Sequence, residues 1–408
     1  MYCKHCWPTK RKSHITLHFS YYINKITEIL SKPFSCLYIS QSKKKREDYV
    51  WELILEFLSV IKIVVFVDNP DESKLYNRSL IFFKEAKKRN LNVKAIKFFG
   101  VYVNDFKLIH NNKNYYYEGI PLTIFQNDYF DIDDKDLCKK ILQENHVPVA
   151  CGQLFTCADK AVKFGKSLGF PLVVKPHNGS LSHHVTCPIV SEEELLDAIK
   201  IAQQYTPAFI VEKYIIGNLF RASVVGKSHV FVSQKDRAHV IGNGSATIME
   251  LISLKNAQKS RGDTSDMNTT LHKIPINENL IVNLEDNNMN LETIVSEGTK
   301  MYLQDKYVLS HGCDVINCSK IVHSKNMDLF IRIANILRSD LIGVDFICPD
   351  ISKPYTEQET AVLEVNSLPY IDMHQYPSDG EPEPVVEVVW DIVLSKLDNK
   401  TEIVGFII

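Results

Sequence analysis

Long hydrophobic runs, an excess of one charge sign and a regular cysteine framework are all missing from this 408-residue sequence. The longest apolar run, Val60–Val67, contains a lysine and is far shorter than the roughly 20 residues of a membrane-spanning helix. The first residues hold no uninterrupted apolar segment, so a secretory signal is not expected. A net charge of −2 gives no reason to expect nucleic acid or a membrane as a partner. Ten cysteines without repeated spacing indicate reduced thiols and a cytoplasmic location.

The first 30 residues are expected to form a basic leader. They contain Cys3, Cys6, His14 and His18 in the spacing C-x2-C-x7-H-x3-H. Cysteine and histidine at such spacings can form a tetrahedral zinc site. The interval between the pairs is shorter than in zinc fingers, and no ββα pattern surrounds it. We therefore expect these residues to be loosely ordered, and zinc binding is the alternative.

Residues 31–130 are expected to form an N-terminal α/β lobe. The β-branched run Val60–Val67 precedes an amphipathic helical pattern at Ser79–Arg89, and a second strand pattern follows at Val93–Phe99. Strand, helix and strand in this order predict a parallel sheet. No phosphate loop or nucleophile is recognisable in this region, so its sequence does not indicate a ligand.

Polar side chains interrupt two neighbouring strand patterns near the end of the chain. Residues 343–352 and 361–369 both read as strands separated by a turn. Because side chains alternate faces along a strand, Glu364 and Asn366 point the same way, and Asp345 can join them from the other strand. Hard oxygen ligands in this number suit Mg²⁺. A sheet with a solvated polar edge is the alternative interpretation.

Two lysines stand at positions suited to an anion. Lys175 ends the apolar strand pattern that begins at Phe170, which places a point charge over the sheet. Lys135 lies in the first turn of a helix predicted from Asp133, where it could hold an anion or simply be solvated.

Taken together, these motifs resemble the ATP-grasp superfamily. The similarity is greatest to the ATP-grasp part of cyanophycin synthetase and of bifunctional glutathione synthetase, and it is more distant to D-alanine–D-alanine ligase. It extends from about Asp133 to Leu397, in several motifs in the same order. Its strongest stretches are 133–149, 170–176, 209–225, 238–254, 343–352 and 363–386.

The resemblance implies a fold and an activity. The expected class is α/β, with an α+β ATP-grasp domain over residues 131–400 that follows the parallel-sheet lobe. Its small ATP lobe covers about 150–220, and its metal- and substrate-binding lobe covers about 221–400. Relatives activate a carboxylate with ATP and Mg²⁺ as an acyl phosphate, and an amine then attacks to form an amide. Amino acids or small peptides are the implied substrates, Mn²⁺ is a conceivable substitute for Mg²⁺, and a homodimer is compatible with the resemblance.

The resemblance also assigns the nucleotide-binding residues. Lys135 and Lys175 match positions that hold the ATP phosphates. The hinge against adenine, with backbone hydrogen bonds, falls on Glu212, Lys213, Tyr214 and Ile215.

The remaining assignments concern metal and catalysis. Asp345, Glu364 and Asn366 match the positions of the Mg²⁺ ligands. Arg221 matches a basic residue that holds the acyl phosphate or a substrate carboxylate. Lys235 stands where relatives carry a phosphate-contacting arginine.

Two departures keep other functions open. Relatives carry a glycine-rich phosphate loop, whereas this chain has Gly179–His184 with a single glycine, and glycine permits close backbone approach to phosphate. Leu219 replaces the acid that binds ribose hydroxyls in relatives. These departures suggest, as one alternative, an ATP-grasp protein that binds nucleotide or peptide without turnover. An ATP-grasp phosphotransferase acting on a hydroxyl is the other.

Overall fold

The computed structural model describes residues 4–6, 14–31, 52–125, 131–177 and 182–405. Cys3 and residues 179–181 of the loop that follows Lys175 lie outside these residues. Within the described ranges, no helix has the length and apolar character needed to cross a membrane.

Helices and strands alternate along the described chain, which confirms the mixed α/β class. The helices are α1 (His14–Ser31), α2 (residues 52–60), α3 (Asn77–Lys88), α4 (Lys135–Glu144), α5 (Ala158–Leu168), α6 (Glu192–Tyr205), α7 (Ile248–Asn256), α8 (Glu278–Asp286), α9 (Ser324–Ile336), α10 (Asp372–Gln375) and α11 (Val385–Gly405). The strands are β1 (Val64–Val67), β2 (Asn92–Phe98), β3 (Val101–His110), β4 (Lys113–Glu118), β5 (Gly152–Phe155), β6 (Leu172–Pro176), β7 (Thr186–Ile189), β8 (Phe209–Lys213), β9 (Asn218–Val225), β10 (His229–Asp236), β11 (His239–Ile241), β12 (Arg261–Gly262), β13 (Leu271–His272), β14 (Lys300–Tyr302), β15 (Asp314–Asn317), β16 (Leu341–Cys348) and β17 (Ala361–Asn366).

The N-terminal sheet is antiparallel, so the predicted parallel sheet is wrong. Strands β1 to β4 lie in chain order, and each neighbouring pair is antiparallel. Residues 99–100 join β2 to β3, and residues 111–112 join β3 to β4; all four have positive φ. Two-residue turns with positive φ at both positions make hairpins, whereas a parallel crossover needs a dozen residues or more.

Two further antiparallel sheets are formed by later strands of the chain. A five-stranded sheet has the order β15-β10-β9-β16-β17, and a four-stranded sheet has the order β5-β8-β6-β7. Helices α4 and α9 cover one face of the five-stranded sheet, where Phe330 meets Phe346 edge to face at 5.3 Å between ring centroids. Helices α5 and α6 bury one face of the four-stranded sheet. Both sheets therefore keep an opposite face for ligands.

The N-terminal sheet is joined to the last helix through a shared core. Trp390 of α11 and Phe82 of α3 are both fully buried, and the Trp390 Nε1–H donates to the Phe82 carbonyl at 3.0 Å. Val225 and Phe231 of the five-stranded sheet belong to the same apolar cluster. This packing brings α3 to the edge of the cavity described below.

Candidate active site

The three predicted metal ligands lie together on one sheet face. β16 and β17 are antiparallel neighbours in which Asp345 stands opposite Glu364. Side chains that stand opposite in an antiparallel pair share a face. Asn366, two residues along β17, donates from Nδ2 to Glu364 Oε1 at 3.2 Å. All three residues line a single large cavity, as the alternation of the two strand patterns predicts.

Two cations from neighbouring strands hold Asp345. Arg221 of β9 donates from Nε to Oδ1 at 2.6 Å and from Nη2 to Oδ2 at 3.1 Å, and Lys235 Nζ lies 3.4 Å from Oδ1. Gly343 leaves room for this pairing, because a Cβ there would lie 2.8 Å from Arg221 Nη1. Burial alone would raise the pKa of Asp345, but Arg221 and Lys235 outweigh it and lower the pKa to about 2.

Helix α4 aims two lysines at different carboxylates. Lys135, in its first turn, lies 3.1 Å from Glu364 Oε2. Lys139, one turn later, donates to Glu212 at 2.9 Å, and Lys175 of β6 lies 2.5 Å from the other oxygen of Glu212. Burial would raise the pKa of Glu212, yet the two lysines lower it. The predicted phosphate lysines are therefore both paired with carboxylates.

Lys139 is a residue of this site that motif comparison did not identify. A signal for it was nevertheless present in the sequence. Lys135 and Lys139 are four residues apart, which places them on the same face of a helix. Once Lys135 is assigned to a ligand site, Lys139 follows from the spacing.

The predicted hinge runs from β8 into the turn before β9. The Lys213 ammonium donates to the carbonyls of Gly169 and Phe170, both at 3.0 Å, rather than facing the cavity alone. The Tyr214 N–H donates to the Pro171 carbonyl at 3.1 Å. Tyr214, Ile215 and Leu219 line the cavity next to these groups. Lysines therefore hold the Glu212 side chain and carbonyl oxygens hold that of Lys213, whereas Tyr214 and Ile215 border the cavity.

The cavity has a volume of about 1480 Å³. Sites for one small ligand are typically about 300–1,000 Å³, so this cavity has room for a nucleotide and a second substrate. At the end contributed by α3 and α10, Arg78 lies over the ring of Tyr370 at 4.8 Å. The buried Asp372 carboxylate nearby accepts from Thr270 at 2.5 Å. Tyr370 and Asp372 lie in the motif stretch 363–386, whereas Arg78 and Thr270 lie outside every motif and reach this site through long-range packing.

The chain is similar in sequence to known proteins. Residues 136–251 match the family model described as D-ala D-ala ligase C-terminus. Cyanophycin synthetase from Geminocystis herdmanii is 35% identical over 263 residues, which is 64% of this chain and 30% of that protein. The resemblance to the ATP-grasp superfamily is confirmed. Glutathione biosynthesis bifunctional protein GshAB from Clostridium perfringens is 28% identical over 267 residues, which is 65% of this chain and 34% of that protein.

A solved structure supports the same fold. The bifunctional glutathione synthetase from Pasteurella multocida superimposes with a TM-score of 0.62 and 22% sequence identity, over 80% of this chain and 44% of that chain. The ATP-grasp fold predicted from the motifs is therefore confirmed. The chain spans about a third of the length of the curated relatives that it matches.

Proposed function

We propose that this protein is an ATP-dependent carboxylate–amine ligase that forms an amide bond through an acyl phosphate. The oxygen-rich corner made by Asp345, Glu364 and Asn366 adjoins Lys135 and Lys175 in a cavity with room for nucleotide and substrate. Acyl phosphate formation needs such charge neutralisation and positioning more than it needs a protein nucleophile.

The corner fits a hard divalent cation, for which we propose Mg²⁺ with Mn²⁺ as a substitute. Asp345, Glu364 and Asn366 offer side-chain oxygens on one face, and the Lys135 ammonium already lies 3.1 Å from Glu364. Both features indicate a position that attracts positive charge. When bound there, the cation would neutralise phosphate oxygens of ATP.

The basic residues around the corner have separate proposed roles. Lys135 and Lys175 would exchange their carboxylate partners for ATP phosphates. Arg221 and Lys235 keep Asp345 ionised, and they would present positive charge to the phosphoryl group as it transfers to the substrate carboxylate. Tyr214 and Ile215 would border the adenine.

Amino acids or short peptides are the proposed substrates, because the relatives are named for cyanophycin and glutathione synthesis. We place the reaction in the cytoplasm, since the sequence indicates reduced thiols. A homodimer is the proposed assembly.

The test is ADP release by the purified protein with ATP and Mg²⁺, against pools of amino acids and short peptides, with mass spectrometry of the products. Acceptor-dependent ADP with a new mass equal to two substrates less water is the expected result. A phosphorylated acceptor would instead establish the phosphotransferase. ATP binding without any product from these pools would favour the protein that binds without turnover.

A further inference from the structure

A cysteine and two histidines from three separate segments meet outside the cavity. Cys6 lies in a short helical turn, His14 begins α1, and His184 follows β6 by eight residues. Cys6 Sγ lies 3.3 Å from Nε2 of His14 and 3.3 Å from Nε2 of His184. One ligand atom from each of the three residues lies within 4.8 Å of the other two. Cys6 and His184 are buried.

The hydrogen bonding of His184 orients it as a ligand. Its Nδ1 lies 2.7 Å from the carbonyl oxygen of Ile201. Because a carbonyl oxygen only accepts, Nδ1 carries the proton, and in the neutral ring Nε2 presents its lone pair towards Cys6. Metal-ligating histidines in proteins generally donate their other ring N–H to a carbonyl or carboxylate in this way.

We propose that Cys6, His14 and His184 bind a zinc ion. Zinc takes thiolate and imidazole ligands in a tetrahedral shell, and its usual bond lengths place sulfur and nitrogen ligands about 3.5 Å apart. Both sulfur–nitrogen separations are 3.3 Å, close to that spacing. These three residues supply three of the four ligands of a tetrahedral zinc ion, and another ligand would complete the coordination shell.

The residues of this cluster differ from those of the zinc site considered from the sequence. His14 and His18 share a face of α1, but His18 Nε2 donates to the Gln203 carbonyl at 3.1 Å and takes no part in the cluster. His184, 170 residues after His14 in the chain, takes its place. The pattern C-x2-C-x7-H-x3-H could not reveal this, because His184 is brought in by folding.

The proposed zinc would link the N-terminal segment, through Cys6 and His14, to the loop after β6, through His184. That loop follows Lys175 and holds few glycines. Two hydrogen bonds also hold the described end of this loop. The His184 N–H donates to the His5 carbonyl at 3.4 Å, and Lys306 Nζ donates to the Ser182 carbonyl at 2.9 Å. Because His183, the neighbour of His184, lines the large cavity, the zinc link would hold this part of the cavity lining in position.

The test measures zinc on untagged full-length protein that has been incubated with Zn²⁺ and desalted. We expect about one equivalent of tightly held zinc in the wild type, and its loss in Cys6→Ser and His14→Ala. His18→Ala is the matched control, since it removes an imidazole from the same helix face without touching the cluster. Circular dichroism establishes that each variant is folded.

Cobalt substitution separates this cluster from the oxygen-rich corner. A thiolate bound to Co²⁺ gives an intense charge-transfer absorption, which oxygen ligands do not give. We expect that absorption in the wild type and in His18→Ala, and its absence in Cys6→Ser. Wild type that retains no zinc, or Cys6→Ser that retains both the zinc and the absorption, would overturn the proposal in favour of a hydrogen-bonded cluster without metal. Neither measurement uses ATP, so both stand apart from the ligase assay.

Discussion

At the scale of single residues, the site is defined by carboxylates whose charge is held by buried cations. Asp345 is fully ionised because Arg221 and Lys235 surround it, whereas Glu364 meets one lysine and keeps 31% of its side chain exposed. The two predicted metal ligands therefore contribute differently to stability. This difference matters for choosing which one to mutate.

Asp345→Asn should destabilise the protein far more than Glu364→Gln does. An asparagine would remove the carboxylate with which two buried cations are paired, and breaking a buried ion pair from one side costs about 3–5 kcal/mol. Glu364→Gln should cost about 1 kcal/mol or less, because solvent reaches that pair. Urea denaturation of both variants measures the free energies of unfolding. Equal losses would show that the Arg221–Asp345 pair is not buried as described.

The same carboxylate predicts how stability responds to acid. The pKa of Asp345 is about 2 in the folded protein, below the value of about 4 in an unfolded chain. The unfolded state therefore binds the proton first, so this contribution is complete above about pH 4 and is lost as the pH falls towards about 2. Glu212, whose pKa is also lowered by its lysines, acts in the same direction.

We therefore expect the free energy of unfolding to fall as the pH drops from about 4 towards about 2. In Asp345→Asn the decline should be shallower, since one of the responsible groups is gone. Urea denaturation at several pH values checks both statements. Parallel declines for wild type and variant would contradict the assigned pKa of Asp345.

At the scale of elements, α4 connects both sheets of the site through its two lysines. Lys139→Met would leave the buried Glu212 with Lys175 as its remaining cation, and an under-paired buried charge costs about 1–3 kcal/mol. Lys140→Met is the matched control, because that neighbouring lysine is exposed, and it should change stability by about 0.5 kcal/mol or less. Thermal or urea unfolding compares the two. A similar change in stability for both substitutions would contradict a stabilising Lys139–Glu212 ion pair.

The elements also show what the sequence could predict. Alternation along β16 and β17 was enough to place Asp345, Glu364 and Asn366 on one face, because a strand's period of two is a local property. The order of strand and helix patterns does not reveal the antiparallel N-terminal sheet, because its direction depends on the two-residue hairpin turns at 99–100 and 111–112. Arg78 could not be found, since it reaches the cavity through packing between distant parts of the chain.

At the scale of the whole molecule, one cavity gathers residues from the N-terminal lobe and from both antiparallel sheets. Arg78 comes from α3, Tyr214 follows β8, and Glu364 belongs to β17. The core shared by Phe82 and Trp390 fixes α3 beside the C-terminal loops. We expect the part of the cavity lined by Arg78 to select the substrate, because the nucleotide is assigned to the part lined by the hinge.

We propose that the corner of Asp345, Glu364 and Asn366 holds a divalent cation that binds ATP. The most direct measurement is isothermal titration of ATP, with and without Mg²⁺, into wild type, Glu364→Gln and the exposed control Glu359→Gln. We predict that Mg²⁺ tightens ATP binding in the wild type and in the control, and that Glu364→Gln loses at least about tenfold of the affinity gained. The same Mg²⁺ dependence in all three proteins would contradict the account.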